Sequence, residues 1–497
     1  MTGPDNKATG DSAVLDADKA QPGADADFVA DRNRSFLSRL YTGTGAFEIV
    51  GRRRMWYGVT AAILLICLAS PLAARVWQPA DDAALASALD RAQAGDEIVL
   101  GAGRWRGPLL VETPLTLRGE AGAVVDGRGQ GHVIAVDAPD VQISGLTVTG
   151  SGSDLDRMDS GIFLTKRARG AQVRGNTLRD NLHGIRIQGA RDSVVADNRI
   201  EGRRGRQSEL GNGVSVWNAP GAVVEGNTIT LGRDGIFVSV SKRNVFRGND
   251  IRGTRFAIHY MNTADSTIED NRSQDNGMGY AIMFSDRLRI VGNSSDNDRD
   301  YGFLFNSANR SVIERNRVTG HPAPESRWRD MGTSAEPGVP QAEVSVTGSR
   351  IAPEKCVFIY NANRNRFIGN RFQGCAIGIH FTAGAEGNQV ARNDFIGNRI
   401  QVKYVGTRYL EWSLDGIGNY WSDNAGFDLD GDGLADSPYR PNDMVDKVMW
   451  TAPQARLLLT SPAVQILRFA QSRFPALLPG GVTDSHALMR PNSERPL

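Results

Sequence analysis

The chain is 497 residues long and carries a formal net charge of +1, with 40% hydrophobic and 23% charged residues. So even a balance excludes a nucleic-acid binder that relies on a basic field. The three cysteines, Cys67, Cys356 and Cys375, are too few and too scattered for a disulfide framework or a zinc site, although a Cys356–Cys375 bond stays open.

Residues 1–50 lack hydrophobic periodicity and read as a disordered leader. Arg52, Arg53 and Arg54 then precede the apolar run Met55–Leu72 and the small residues Ala73 and Ala74. Segment 51–76 therefore reads as a signal peptide or an uncleaved signal-anchor helix, at the short edge of a membrane span, and places the rest of the chain outside the cytoplasm. Within the leader, Phe36 to Phe47 and Arg54-Met55-Trp56-Tyr57-Gly58 resemble the start of the SecF export subunit of actinobacteria. The likeness is short and stops inside the apolar run. It reads as a borrowed or mis-joined leader with no bearing on function.

Beyond it, Ala84–Gly95 has helical spacing, with Leu85, Ala88, Leu89 and Ala92 on one face. A short helix capping an open stack fits this position, because terminal repeats must cover their edge. Short strands follow at Glu97–Leu100, Leu109–Val111, Leu115–Leu117, Ala123–Val125, Val133–Val136 and Val141–Val148.

From Gly161 a repeat becomes regular. Asparagines fall at 176, 198, 227, 249, 271, 293, 316, 370 and 393, mostly 22 or 23 residues apart, with one gap of 29 and one of 54 that holds an insert over 320–351. Such a period signals stacked coils, each burying its apolar side against its neighbours. A leucine-rich horseshoe would place leucine at several fixed positions. Here those positions hold Ile, Val and Phe in period-two alternation, so residues 77–440 are predicted to form an all-β, right-handed parallel β-helix. The asparagines are assigned to an internal ladder of side-chain amides.

Two inward columns flank one outward residue per coil. They run from Ile162 and Leu164 to Ile379 and Phe381, with Ile282 and Phe284 in the eighth-decade coil. The outward column reads Phe163, Arg186, Ser215, Phe237, His259, Met283, Leu304, Phe358 and His380, where polar residues would be normal. An exposed stripe this apolar marks a docking surface, unless a loop or the insert covers it. Phe237, His259, Met283, Leu304, Phe358 and His380 are its docking residues. Within it, His259, Met261 and Met283, with Met278 nearby, form an imidazole–thioether set suited to copper(I). Ordinary strand packing is the competing reading. The scaffold also serves carbohydrate lyases and epimerases, which need clustered acids and bases. Asp234 with Asp300, and Asp156, Asp159 and Asp180, are the only loose candidates, and neither set shows a partnering base.

Past Asn393 the pattern decays. Asp428, Asp430 and Asp432 at alternate positions, with Asp436 closing the shell, can wrap a calcium ion in a dockerin-like loop; the plainer reading is an acidic turn. Residues 441–497 read as a partner-docking tail, with a broken amphipathic helix over Ala452–Phe474 and a terminal loop carrying His486 and Met489.

Taken with the coils, several stretches are specific. They include Arg233-Asp234-Gly235-Ile236-Phe237-Val238, Phe256-Ala257-Ile258-His259-Tyr260-Met261-Asn262, Gly418-Asn419-Tyr420-Trp421-Ser422-Asp423 and Pro438-Tyr439-Arg440-Pro441-Asn442-Asp443. From about Trp77 to Met489 the chain resembles the NosD family. That resemblance implies a periplasmic accessory protein without catalytic activity, which helps nitrous oxide reductase acquire its copper–sulfur centre. It implies as partners an ABC transporter membrane subunit, a NosL-like copper chaperone lipoprotein and the apo-reductase. The alternative is a carbohydrate-active β-helix enzyme.

Overall fold

The computed structural model describes residues 74–323, 350–382, 384–406, 408–451, 454, 461–473 and 480–492. The leader, the apolar run Met55–Leu72, Cys67 and most of the insert lie outside these.

Three parallel sheets of 13, 12 and 13 strands wind into a right-handed β-helix. Each turn contributes one short strand to each sheet, so like residues stack on like. One inner column runs Val173, Val195, Val224, Phe246, Ile268 and Ile290, all fully buried. Coils separated by one strand spacing, about 4.8 Å, leave no room for mismatched side chains, which explains the strict apolar alternation. The corners are tight. Gly226 has φ +63°, and a Cβ there would stand 2.5 Å from the Asp197 carboxylate of the previous coil.

The asparagines form the expected internal spine. Asn249 Nδ2 donates to Asn271 Oδ1 at 2.8 Å, and Asn271 Nδ2 donates to Asn293 Oδ1 at 2.9 Å. Each also donates to the carbonyl of a preceding strand, as Asn271 does to Phe246 at 2.9 Å. The spine runs past Asn393 to Asn419. A second corner carries Thr254, Asn276 and Asp298 in the same relation.

The first open end is covered by the helix Asp82–Arg91, whose Asp81 carboxylate caps the Ala84 amide at 2.8 Å. Leu85 and Ala88 of this helix are buried. The segment expected as Val141–Val148 is two strands, Gln142–Ser144 and Thr147–Thr149, because Gly145 turns a corner at φ +69°. The base of the insert is a two-stranded antiparallel ribbon pairing His321–Ala323 with Arg350–Ala352. Cys356 and Cys375, in adjacent coils, are disulfide-bonded, which decides the pairing left open by the sequence.

The far end is closed by the chain's own C-terminal part. Gly481–Thr483 pairs with Tyr409–Glu411, and Asp484 is buried, accepting from the Asn419 amide at 2.7 Å and Trp421 Nε1 at 2.8 Å. Burial pushes the Asp484 carboxyl up, against the pull of those hydrogen bonds. Phe395, Trp421 and Tyr439 stack beneath it. The stretch expected as a terminal loop is thus woven into the last coils: His486 Nδ1 lies 3.1 Å from Ser413 Oγ, and the Met489 amide donates to Gly433. An uncovered final strand would expose a row of unpaired backbone groups, and this segment removes that edge. The broken helix expected over Ala452–Phe474 is a helix over Pro462–Arg473, with Ile466 and Phe469 exposed, and a separate helix, Met444–Thr451, lies before it. Among the described residues no helix is long and apolar enough to cross a membrane.

Candidate binding wall

The outer face of the 12-stranded sheet carries the predicted stripe. The register places Phe237, His259, Ala281, Leu304, Phe358 and His380 in one column. Met283 is not in it. Met283 pairs with Met261, two residues further along, and Phe284 points out rather than in, 55% exposed at φ +48°. Tyr280 and Ile282 fill the inward columns instead. The expected direct stacking of His259 on Met283 is therefore replaced by His259 against Ala281 and Met261 against Met283. Counting back eleven residues from the next asparagine, as Phe305 stands to Asn316, gives Ile282 and would have caught the slip.

The stripe is denser than an open docking surface. Phe237 and Phe256 meet the His259 ring edge-on at 5.0 and 4.9 Å, and Phe358 meets His380 at 4.9 Å. The column shields itself by ring contacts, leaving His259 8% exposed. Large exposed apolar side chains lie one column over, at Trp217 and Tyr360, outside the predicted stripe.

His259 is held by Asp234. Its Nδ1 lies 3.0 Å from Asp234 Oδ2, and Arg255 grips the same carboxylate through Nε and Nη2, both at 2.8 Å. The loose candidate Asp234 thus has both partners it was expected to lack. Arg255 is one coil away, so linear spacing hides the contact. Burial by itself would raise the Asp234 carboxyl, but the hydrogen bonds from His259 and Arg255 prevail and hold it below the ordinary carboxylate range. With Nδ1–H donating to the carboxylate, a neutral ring leaves the Nε2 lone pair free, and this buried atom has no partner among the described residues. A carboxylate so occupied orients an imidazole; it is not a free base for proton abstraction. Asp300 is likewise tied to Arg299 at 2.6 Å. Met278 pairs in register with Phe256, whose ring touches His259.

Away from the wall, Asp428, Asp430 and Asp432 bring ligand oxygens within 4.8 Å of one another and can hold a metal ion. Asp436 is turned to the Leu429 amide at 2.8 Å instead of joining them.

Fold and wall together define a binding solenoid with a carboxylate-oriented histidine among aromatic side chains. Residues 196–426 match the family described as "Periplasmic copper-binding protein (NosD)", and a Pseudomonas aeruginosa protein named "Probable ABC transporter binding protein NosD" is 40% identical over 440 residues, 88% of this chain and 96% of its own length. The chain belongs to the NosD family and is periplasmic. A Stutzerimonas stutzeri protein of the same name is 39% identical over 397 residues, 80% of this chain and 87% of that one. The leader has a separate likeness: "Protein translocase subunit SecF" of Mycobacterium tuberculosis is 48% identical over 75 residues, 14% of this chain and 17% of that protein.

Proposed function

We propose that this protein is the periplasmic binding component of an ABC transporter and receives copper(I) as cargo for the maturation of nitrous oxide reductase. Family membership supports the transporter link. The observation that carries the copper reading is the free Nε2 lone pair of His259, set by Asp234. A carboxylate–imidazole pair is the usual support of a metal-ligating histidine, and thioethers complete a soft donor set. His259, Met278, Met261 and Met283 are the proposed ligands. A NosL-like lipoprotein is proposed as donor and the apo-reductase as acceptor, meeting the wall at Phe237, His259, Met283, Leu304, Phe358 and His380, with Trp217 and Tyr360 alongside. Residues 1–50, 51–76, 77–440 and 441–497 are the proposed leader, export segment, solenoid and docking tail.

The test is a copper(I) titration of the exported chain against a competing chelator, beside reductase loading in cells. His259→Ala is expected to weaken copper affinity on the order of tenfold or more, which is about 1.4 kcal/mol or more, and to slow loading. Unchanged affinity and loading would remove His259 from the site.

Calcium is the proposed ion for Asp428, Asp430 and Asp432, since hard carboxylate oxygens suit it. Millimolar calcium is expected to raise the melting temperature of the metal-stripped protein, and Asp430→Asn to abolish the rise. No calcium-dependent change in the unaltered protein would refute the assignment.

A further inference from the structure

Upstream on the same wall lies a group of donors that the copper reading does not use. His183 begins its wall strand and is 3% exposed. Its Nδ1 accepts the Asn212 amide at 3.0 Å, so in the neutral ring the proton sits on Nε2. That buried Nε2 has no partner among the described residues. Burial, then Arg186, drives the His183 pKa down to about 4, so the ring is neutral and keeps a single N–H with nothing to receive it. An unpaired buried donor carries a desolvation penalty of about 1–3 kcal/mol.

Arg186 stands three residues on, outward, between Phe163 and Ser215 in register. It is nearly buried, and among the described residues its side chain makes one hydrogen bond, from Nε to the neutral Gln188 at 3.0 Å. No carboxylate pairs with it among the described residues, and burial lowers its pKa. By contrast, Lys355 pairs with Glu354, Arg299 with Asp300 and Arg255 with Asp234. His132 lies close enough to depress the His183 pKa further. Its Nδ1 takes the Ser160 amide at 3.2 Å, so its proton is also on Nε2, and its ring stacks on Phe163 at 4.1 Å. Asp159, whose backbone carbonyl accepts the His183 amide at 3.0 Å, turns its carboxylate to the Asp154 amide at 3.0 Å and faces Arg157 at 3.8 Å.

We propose that His183 and Arg186, with His132 beside them, form a second station on the wall that binds a small inorganic oxyanion. A guanidinium and neutral imidazole N–H groups are donors only, and in a partly dehydrated setting they select a compact anion over a cation or a neutral ligand. The station sits under a loop that has its own anchor. Arg203 reaches across from the basic insert to the Ser151 and Gly152 carbonyls at 2.8 and 3.2 Å, and Gly211 of the same excursion passes over the His183 ring. This reading is independent of copper at His259, which belongs to a coil further along.

The experiment is calorimetric titration of the exported chain with sodium sulfate at constant ionic strength, with sodium acetate as the carboxylate arm and chloride as the baseline. Saturable sulfate binding is expected. Arg186→Gln should weaken it on the order of tenfold or more, as loss of a charged donor does. His183→Gln is the second variant and should weaken it less, while copper affinity stays unchanged in both. Circular dichroism of both variants checks that the coils remain folded. No saturable sulfate binding, binding equal in the unaltered protein and both variants, or binding of acetate alone would each overturn the proposal.

Discussion

Asn271→Leu is expected to destabilise the solenoid by about 4–6 kcal/mol, since each buried polar group left without a partner costs about 1–3 kcal/mol. Asn271 is almost fully buried, and its Oδ1 accepts both the Asn249 amide at 3.1 Å and Asn249 Nδ2 at 2.8 Å. Its own Nδ2 serves the Phe246 carbonyl, the Glu269 carbonyl and Asn293 Oδ1. Leucine has nearly the right size and none of these groups. It strands two donors on Asn249 and the carbonyl of Phe246, all away from water. Because stacked coils interact mainly with their neighbours, the loss should appear first as faster amide exchange in the coils on either side of position 271. Hydrogen exchange with chemical denaturation measures it. A loss below about 1 kcal/mol would show that the asparagine spine is not what ties coil to coil.

The second large effect has the opposite sign. Asp298 continues the neighbouring spine, where Asn276 precedes it, and is wholly buried. Burial raises its pKa to about 6, although Ser295, Ser273 and Asn276 donate to it and pull the other way. The folded-state pKa lies above the unfolded one. Between about pH 4 and about pH 6 the folded chain therefore holds a proton that the unfolded chain has released. Stability from this residue falls as pH rises through that window and is level above it. Asp298→Asn carries no charge at any pH and restores the amide of the other rungs. It is expected to stabilise the protein at pH 7 by about 3 kcal/mol, two pKa units at 1.36 kcal/mol each. The two proteins should converge near pH 4. Denaturation midpoints at pH 4.5, 5.5 and 7 provide the comparison. A variant no more stable at pH 7, or a gap that does not close on acidification, would refute this account.

Much of this architecture is legible from residue order. The spine and the column Val173 to Ile290 recur at a fixed interval, and a solenoid has one such interval for the whole stack. The slip at Met283 shows where that legibility ends. Tyr280, Ile282 and Phe284 are three alternating apolar residues, so period-two reasoning accepts either pair as the inward one. The corner before the next asparagine settles the choice. Asp234 is a different kind of miss. Its partners Arg255 and His259 are 21 and 25 residues away, and they become visible only when the chain is read one coil at a time. The donors His183 and Arg186 lay in or beside the stripe. What makes them notable is that, among the described residues, no carboxylate pairs with Arg186, which no linear pattern displays.

The sequence by itself determined that the chain winds, what faces inward, and that one wall is rich in rings and soft side chains. Those features repeat locally, and burial enforces them coil by coil. Only the tertiary structure decided which outward side chains touch, which imidazole nitrogen is left free, and how the last residues seal the open end. Such contacts depend on register between coils and on corners of unequal length, so a shift of two residues changes every partner on the wall while leaving the inward alternation intact.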